Sequence, residues 1–535
     1  MAVAPTRHND AFSTAPQIST EDLAQIAAMG FKTVINNRPD GEGGAEQATS
    51  AQIQAAASQA GVVYAHLPVI SGQITEQQAR QFAELLAKCP KPVLAFCRSG
   101  ARSQNLYRMA SGQVPAPAAA STGAASACNW GDSHDILIIG GGAAGISLAA
   151  SLLKRQPNLQ ISIVEPRDKH YYQPAWTLVG AGAFDPKATE RDMASVMPKG
   201  VTWIRAAVTG FDPAQRKVML DTGNSISYQN LVVAPGLQLN WGAIPGLQET
   251  LGKNGVTSNY RFDLAPYTWS LVKAMKKGRA IFTQPPMPIK CAGAPQKAMY
   301  LSCFEWESQG LLKDIQVDFH NAGAVLFGVS TFVPPLMAYV KRYNAHLNFN
   351  SRLVAVDGDT KTAWFEEKDA AGNLQRVEKP FDFLHVVPPQ SAPDFVRESV
   401  LANAEGWVDV DQTTLQHVRY PEIFSLGDAC SSPNAKTAAA ARKQVVVVAE
   451  NLLAARSGEP MTTRYDGYGS CPLTVEKGKI VLAEFGFGGK LLPTFPLDPT
   501  VPRRSAWILK KDILPAIYWD VMLKGREWLA RPVPG

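Results

Sequence analysis

Apolar and polar positions alternate along this chain in a way that predicts short strands and amphipathic helices in turn. Glu21–Met29 reads as a helix, Thr33–Asn36 as a short strand and Thr75–Ala87 as an amphipathic helix. Val93–Phe96 is a buried strand that ends at Cys97. Further on, Asp135–Ile139 predicts another buried strand and Ile146–Arg155 a helix with Ile146, Leu148, Leu152 and Leu153 turned inward. Ile161–Glu165, Arg279–Thr283, Leu231–Gly236 and Glu422–Asp428 complete the strand signals, and Thr437–Asn451 is an Ala-rich helix. Residues 111–133 (SGQVPAPAAASTGAASACNWGDS) break the pattern: Ala, Ser, Gly and Pro dominate without apolar period, the mark of a flexible linker. The expected organisation is therefore α/β throughout, with one domain over 1–110, a linker over 111–133 and a larger body over 134–535. No repeat of 20–50 residues is present.

Composition narrows this only a little. A chain of 535 residues exceeds one core, and 46% hydrophobic with 18% charged residues is that of a well-packed globular protein. The formal charge of +6 is small for the length, and no Lys/Arg run or base-stacking motif points to nucleic acid. Residues 1–17 match neither a secretory signal nor a transit peptide, and no apolar run approaches the roughly 20 residues of a membrane span. Seven cysteines, odd and sparse, suit a reducing compartment where thiols do chemistry. No metal-ligand spacing is seen, so no metal is expected.

The strongest chemical signal is Gly140-Gly141-Gly142-Ala143-Ala144-Gly145, a G-x-G-x-x-G between a strand and a helix. Gly140 permits the tight turn, Gly142 lets the backbone approach a pyrophosphate, and Gly145 allows close helix–strand packing. Ala143 and Ala144 open the helix whose N-terminus faces the phosphates. Glu165 ends the next strand, placed to accept hydrogen bonds from a ribose diol. Pro235-Gly236 and Gly427-Asp428 each end a strand and resemble segments of the two-dinucleotide-binding-domain flavoproteins. That resemblance implies FAD, with Asp428 on the ribityl chain, the alternative for Asp428 being a helix cap. Lys436-Thr437 opens a helix whose positive end could face the flavin pyrimidine.

Such flavoproteins carry a second glycine fingerprint for NAD(P)H. Here the strand Arg279–Thr283 runs instead into QPPMPIKCAGAPQK (284–297), with three prolines, a Met and Cys291. The run IKCAGAPQKAMYL, with LHVVPPQSAPD (384–394), GDACSSPNAKTAAA (427–440) and YDGYGSCPL (465–473), resembles the sulfide:quinone oxidoreductases, nearest to the branch containing the mitochondrial enzyme. The resemblance implies a pair of redox cysteines beside the flavin, sulfide as substrate, and ubiquinone or menaquinone as acceptor. Cys291 matches the first cysteine. The second is expected at Cys430, although Ala429 stands immediately after Gly-Asp and Cys430 lies one residue on. The alternative makes Cys430 a small turn residue and leaves release to an external acceptor. Cys303 and Cys471 are expected in the core, and Lys290, Lys297 and the helix at Thr437 are candidates for lowering a thiol pKa. Quinone requires a membrane surface. Residues 506–529 mix Trp507, Ile508, Ile513, Trp519 and Trp528 with Lys510, Lys511, Lys524 and Arg526, as an interfacial anchor does. Pro515 is expected to divide the segment into two helices. A core or dimer-facing helix is the alternative, and homo-oligomerisation remains open. The expected location is the cytoplasmic side of a bacterial inner membrane, held peripherally.

In the N-terminal domain, CRSGARS (97–103) follows a strand and precedes a helix, a cradle of N–H groups and arginine around a thiolate. Phosphatases and rhodanese-type sulfurtransferases both use it. Cys97 to Arg102 is Cys-x4-Arg, one residue shorter than the phosphatase loop, and HLPVISG (66–72) offers no carboxylate as general acid. TVINNRPDGE (33–42) and HLPVISGQIT (66–75) resemble the small phosphatase-like domains found beside sulfide-metabolism enzymes, whose fold is that of the dual-specificity phosphatases. The expectation is a sulfurtransferase with Cys97 as sulfur carrier and Arg102 as anion binder, passing sulfur to a small thiol or sulfite-type acceptor. Phosphatase activity and an inactive docking module are the alternatives. For the whole chain the rivals are a type II NADH:quinone dehydrogenase and a flavin-bearing sulfide sensor.

Overall fold

The computed structural model describes residues 5–42, 47–69, 74, 76–98, 100–110, 133–368, 372–433 and 435–530. It separates into two compact units, Met1–Trp130 with Ala207–Ile226, and Gly131–Ala206 with Ser227–Gly535. The linker expected over 111–133 lies almost wholly outside the described residues.

In the N-terminal unit five strands form a sheet in the order Thr6–Asn9, Phe12–Ala15, Val93–Phe96, Thr33–Asn36, Val63–His66. All neighbours run parallel except the first pair. Val93–Phe96 is central and buried on both faces, which is why it reads as an unbroken apolar run. The predicted helices are found at Asp22–Ala28 and Glu76–Lys88. Helix Ser50–Gln59, begun by a Thr49–Gln52 capping box, was not anticipated: its many small residues hide the apolar stripe of Ile53 and Ala57.

The larger unit holds two parallel sheets. The first runs Val201–Ile204, Ile161–Val164, Ser133–Ile139, Ser225–Val233, Ile423–Ser425. Helix Ala143–Arg155 packs on helix Ala438–Arg456. Ile146, Leu148 and Leu152 are fully buried as expected, whereas Leu153 is only half-buried. The second sheet runs Val256–Thr257, Phe383–His385, Gly278–Gln284, Ile315–Asn321, His346–Phe349. Beside it, Phe282, Trp306, Phe319, Phe332 and Phe383 make an aromatic core that also contains Cys303 and Cys471. A hairpin, Gly469–Glu476 with Lys479–Phe485, carries Cys471 and packs on helix Ala294–Ser308.

The tail follows the hairpin. Pro515 does not split it: helical backbone continues from Arg504 to Met522, with π-type turns at Leu509–Ile513 and Ile517–Met522 on either side of Leu514–Ala516. A proline ring presses on the carbonyl four residues back and lacks an N–H, and a wider turn accommodates both. Among the described residues no helix is long and apolar enough to cross a membrane.

Candidate active site

The strand Ser133–Ile139 delivers the chain into Gly140, whose φ of +105° only glycine holds easily. A Cβ there would sit 2.4 Å from the Ala234 carbonyl oxygen, and one on Gly145 would sit 2.0 Å from that of Gly140. The strand end bearing Pro235 and the fingerprint helix therefore close on the turn from both sides. A Cβ on Gly142 would meet nothing within 4 Å, and Gly142 caps the helix at Ala143 without a side-chain bond. The helix N-terminus is left open where a pyrophosphate would lie. Gly427, at φ +76°, would bring a Cβ within 3.2 Å of the Ala144 methyl, so the Gly-Asp turn meets the fingerprint helix directly. Its N–H donates to Gln444 Oε1 at 2.7 Å, while Gln444 Nε2 is buried with no partner among the described residues. Gly236 is also left-handed, with open space at its Cα. Glu165 accepts from the Gly141 N–H at 2.9 Å and from that of Arg167 at 2.9 Å. Open glycines, an orphaned amide and a carboxylate converge as FAD requires. Gly140, Gly142 and Ala143 would hold its pyrophosphate, Glu165 its ribose and Asp428 its ribityl chain.

Two residues expected at the cofactor also hold the chain itself. Lys436 Nζ donates to the carbonyls of Asp428 (2.7 Å) and Cys430 (3.2 Å) and lies 3.8 Å from the Trp407 ring. It ties the Gly-Asp turn together. Thr437 Oγ1 accepts from Ala440 N–H at 3.1 Å, an N-cap of helix Ala438–Arg456.

Where a second fingerprint would stand, the chain leaves Gln284 through a proline-rich turn without a glycine cradle and reaches Cys291, at φ +50°. The Cys291 N–H donates to the Lys436 carbonyl at 2.9 Å, which links the two turns that carry the site. Lys297, in the helix that follows, donates from Nζ to Cys291 Sγ at 3.1 Å. The second thiol at this place is that of Cys471, whose Cβ lies 3.8 Å from where a Cβ on Gly293, two residues past Cys291, would stand. Hydrogen bonding with Cys471, then the charges of Lys297 and Lys510, hold the Cys291 thiol well below its usual range against the opposing effect of burial. Cys471, as donor to a thiolate and buried, is pushed well up. Lys510 reaches this place from the tail; burial and the charge of Lys297 push it down to about 7. Lys290 is pushed down to about 8 by burial. Burial raises Asp428, opposed by Lys436 and Lys290.

Cys430, expected as the second redox cysteine, has its thiol engaged within its own turn. It is fully buried, its thiol donates to the Gly427 carbonyl at 3.2 Å, and burial pushes its pKa up. A residue that closes the Gly-Asp turn in this way points its sulfur back into the turn. Cys471, expected only in the core, is in the core and at Cys291 together. Strand alternation puts Cys471, Leu473 and Val475 on one inward face, and YDGYGSCPL was already among the informative motifs. The lysine from the tail had no signal beyond its charge.

In the other unit Cys97 ends the central strand and its Sγ accepts from the Gly100 N–H at 3.2 Å. Gly100 is left-handed at φ +87°, which lets the loop curl around the thiol. Arg102 is buried beneath the loop and bonds the carbonyl of Asn37 and the carboxylate of Glu42. A carboxylate therefore does stand at this loop, from the turn after Thr33–Asn36 rather than from the 66–72 segment.

A two-sheet flavoprotein fold with cysteines where a nicotinamide site would stand defines a flavin-dependent oxidoreductase. Its relatives say which. The chain is 42% identical over 399 residues to the mitochondrial sulfide:quinone oxidoreductase of Dictyostelium discoideum, covering 74% of this chain and 87% of that one. With the mitochondrial sulfide:quinone oxidoreductase of Mus musculus it shares 38% over 398 residues, 74% and 88% of the two chains. The chain belongs to the sulfide:quinone oxidoreductase family, and FAD is its cofactor. The crystal structure of the sulfide:quinone oxidoreductase from Aquifex aeolicus has the same fold, with a TM-score of 0.59 at 19% identity over 74% of this chain and 92% of that one. Residues 134–272 match the pyridine nucleotide-disulphide oxidoreductase family. Residues 7–114 match the phosphatase-like domain of the beta-lactamase hydrolase-like proteins.

Proposed function

We propose that this protein oxidises sulfide to sulfane sulfur at Cys291 and Cys471 and passes the electrons through FAD to a membrane quinone. The contact of Cys471 and Lys297 with the Cys291 sulfur carries this reading. In the oxidised enzyme the pair is a disulfide. Hydrosulfide attacks the Cys471 sulfur, the S–S bond breaks, Cys471 keeps the new sulfur as a persulfide, and Cys291 leaves as thiolate. The better-stabilised thiolate is the better leaving group, and Cys291 is the one that Lys297 and Lys510 support. An acceptor thiolate or sulfite then takes the outer sulfur and leaves two cysteine thiolates. Their return to a disulfide releases two electrons, which bound FAD accepts for delivery to ubiquinone or menaquinone.

Cys97 is the sulfur carrier of the N-terminal domain. In the division 1–110, 111–133 and 134–535, carriage of both domains on one chain raises the effective concentration of Cys97 for the sulfur that the other domain releases. Ile508, Ile513, Trp528 and Leu529, all exposed, form the membrane-facing part of the tail and favour peripheral attachment to the cytoplasmic face of a bacterial membrane.

Anaerobic sulfide titration with sulfite present as acceptor, followed by flavin absorbance, tests the core assignment. Cys291→Ser and Cys471→Ser each abolish flavin bleaching by sulfide, a loss of roughly a thousandfold or more in rate. Cys430→Ser bleaches like wild type. Bleaching retained in Cys471→Ser but lost in Cys430→Ser would return the second role to Cys430.

A further inference from the structure

The arginine of the Cys97 loop is largely spent on the chain itself. Arg102 Nη1 donates to the carbonyls of Asn37 (3.3 Å) and Val69 (2.6 Å), and Nη2 donates to Glu42 Oε1 at 2.8 Å. Nε is buried and has no partner among the described residues. The other oxygen of Glu42 accepts from Arg38 Nε at 2.7 Å, and Arg38 Nη1 donates to Gln17 Oε1 at 2.8 Å. The side chains of Arg102, Arg38 and Glu42 are 7%, 9% and 23% exposed, so this is a built network and not a surface pair.

A guanidinium grips a tetrahedral oxyanion with the two N–H groups of one edge. Nε and Nη2 share such an edge, and Glu42 takes one of the two N–H groups of Nη2. Among the described residues Nε and the other Nη2 N–H remain, and a fixed negative charge stands beside them. A phosphate-like dianion that grips this edge meets a like charge. A neutral or singly charged sulfur donor needs only one donor and suffers far less repulsion.

We propose that Glu42 is the specificity-determining residue of the Cys97 loop. It restricts the loop to organic persulfides and comparable sulfane-sulfur donors and excludes phosphate-like dianions. The proposal deepens the sulfur-carrier reading of Cys97 and rests on it. The step it favours is balanced without a further oxidant. The Cys97 thiolate attacks the outer sulfur of a persulfide RS–SH, the old S–S bond breaks as the new one forms, and RSH leaves with the proton. Cys97 keeps a persulfide of single charge, and no dianion arises.

The test uses the full-length protein and alkylation of Cys97 by iodoacetamide, read from the Cys97 peptide by mass spectrometry, with and without millimolar inorganic phosphate. Wild type is alkylated at the same rate in both conditions. In Glu42→Ala phosphate slows alkylation about tenfold, the effect of removing a like charge beside the bound anion. Hydrolysis of p-nitrophenyl phosphate then appears and is lost again in Glu42→Ala/Cys97→Ser. The isosteric Glu42→Gln, which removes the charge and keeps the shape, gains part of the same protection. Phosphate protection of Cys97 in wild type overturns the proposal whatever the variants do. So does phosphate insensitivity in folded Glu42→Ala or Glu42→Gln. Exposure to glutathione persulfide, read as one added sulfur on the same peptide, separates the two claims. A wild-type Cys97 that never gains sulfur sinks the carrier reading, whereas the phosphate comparison judges Glu42.

Discussion

Cys291 joins a strained backbone to a stabilised sulfur. Its left-handed φ turns the thiol away from the strand axis, and Lys297, six residues on, reaches back from the first turns of the next helix. The Cys471 hydrogen bond and the two lysines favour the thiolate, so Cys291 in the reduced enzyme is alkylated at pH values below the range near 8.5 of an ordinary thiol. Lys297→Met removes a cation and raises that pKa, so the thiolate fraction at neutral pH falls. The pH profile of Cys291 alkylation should move upward, and flavin reduction at pH 7 should slow about tenfold or more. An unmoved profile would show that Lys297 does not act on the sulfur. Lys510, at about 7, loses its charge as pH rises through neutrality, which weakens its support of the thiolate above that point. At the fingerprint, Gly145→Ala forces a methyl to 2.0 Å from the Gly140 carbonyl oxygen. About 1–3 kcal/mol of stability should be lost, with FAD retention falling alongside thermal stability. The glycines were legible residue by residue because each obeys a local backbone rule. The partner of Cys291 was not, since sequence distance from Gly-Asp says nothing about which way a sulfur points.

At the scale of elements, the tail also serves the interior of the molecule. Its buried face carries Lys510 to the thiols, and Tyr518 bonds His170 Nε2 at 2.6 Å while His170 Nδ1 meets the Gly141 carbonyl at 3.0 Å. Burial depresses His170 to about 4, so at neutral pH the ring is uncharged and joins tail to phosphate turn by hydrogen bonds alone. Glu527 anchors the far end through Arg155 and Ser151. Glu527→Ala should cost about 1 kcal/mol, since Arg155 keeps its pairing with Glu450, visible as a lowered thermal midpoint. The outward residues are separable from this. Ile508→Asp with Ile513→Asp should weaken binding to anionic lipid vesicles about tenfold or more, yet leave bleaching by sulfide in detergent unchanged. Equal vesicle binding by wild type and the double variant would move the anchor elsewhere. Amphipathicity marked this segment in the sequence. Periodicity could not say that its buried face brings Lys510 to the thiols.

For the whole molecule, the coupling of the two chemistries is the claim to measure. Cys97→Ser should leave sulfide-driven quinone reduction at the wild-type rate and shift the distribution of sulfane-sulfur products among thiol and sulfite acceptors. Identical distributions under every acceptor would leave the N-terminal domain without a part in sulfur transfer. Much of this plan was written in local patterns. The strand–glycine–helix unit at Gly140, the Cys97 loop, the second strand without its glycines and the amphipathic tail each depend on neighbours a few residues apart, where propensity and backbone sterics decide. The sequence by itself therefore determined an α/β flavoprotein with a cysteine in its nicotinamide place and a separate cysteine-loop domain. Only the tertiary structure decided which groups surround the sulfurs. Cys471 lies 180 residues beyond Cys291 and Lys510 lies 219 beyond it, while Glu42 reaches Arg102 across 60. Contacts of that range are made by sheet order and helix packing, and no spacing rule encodes them.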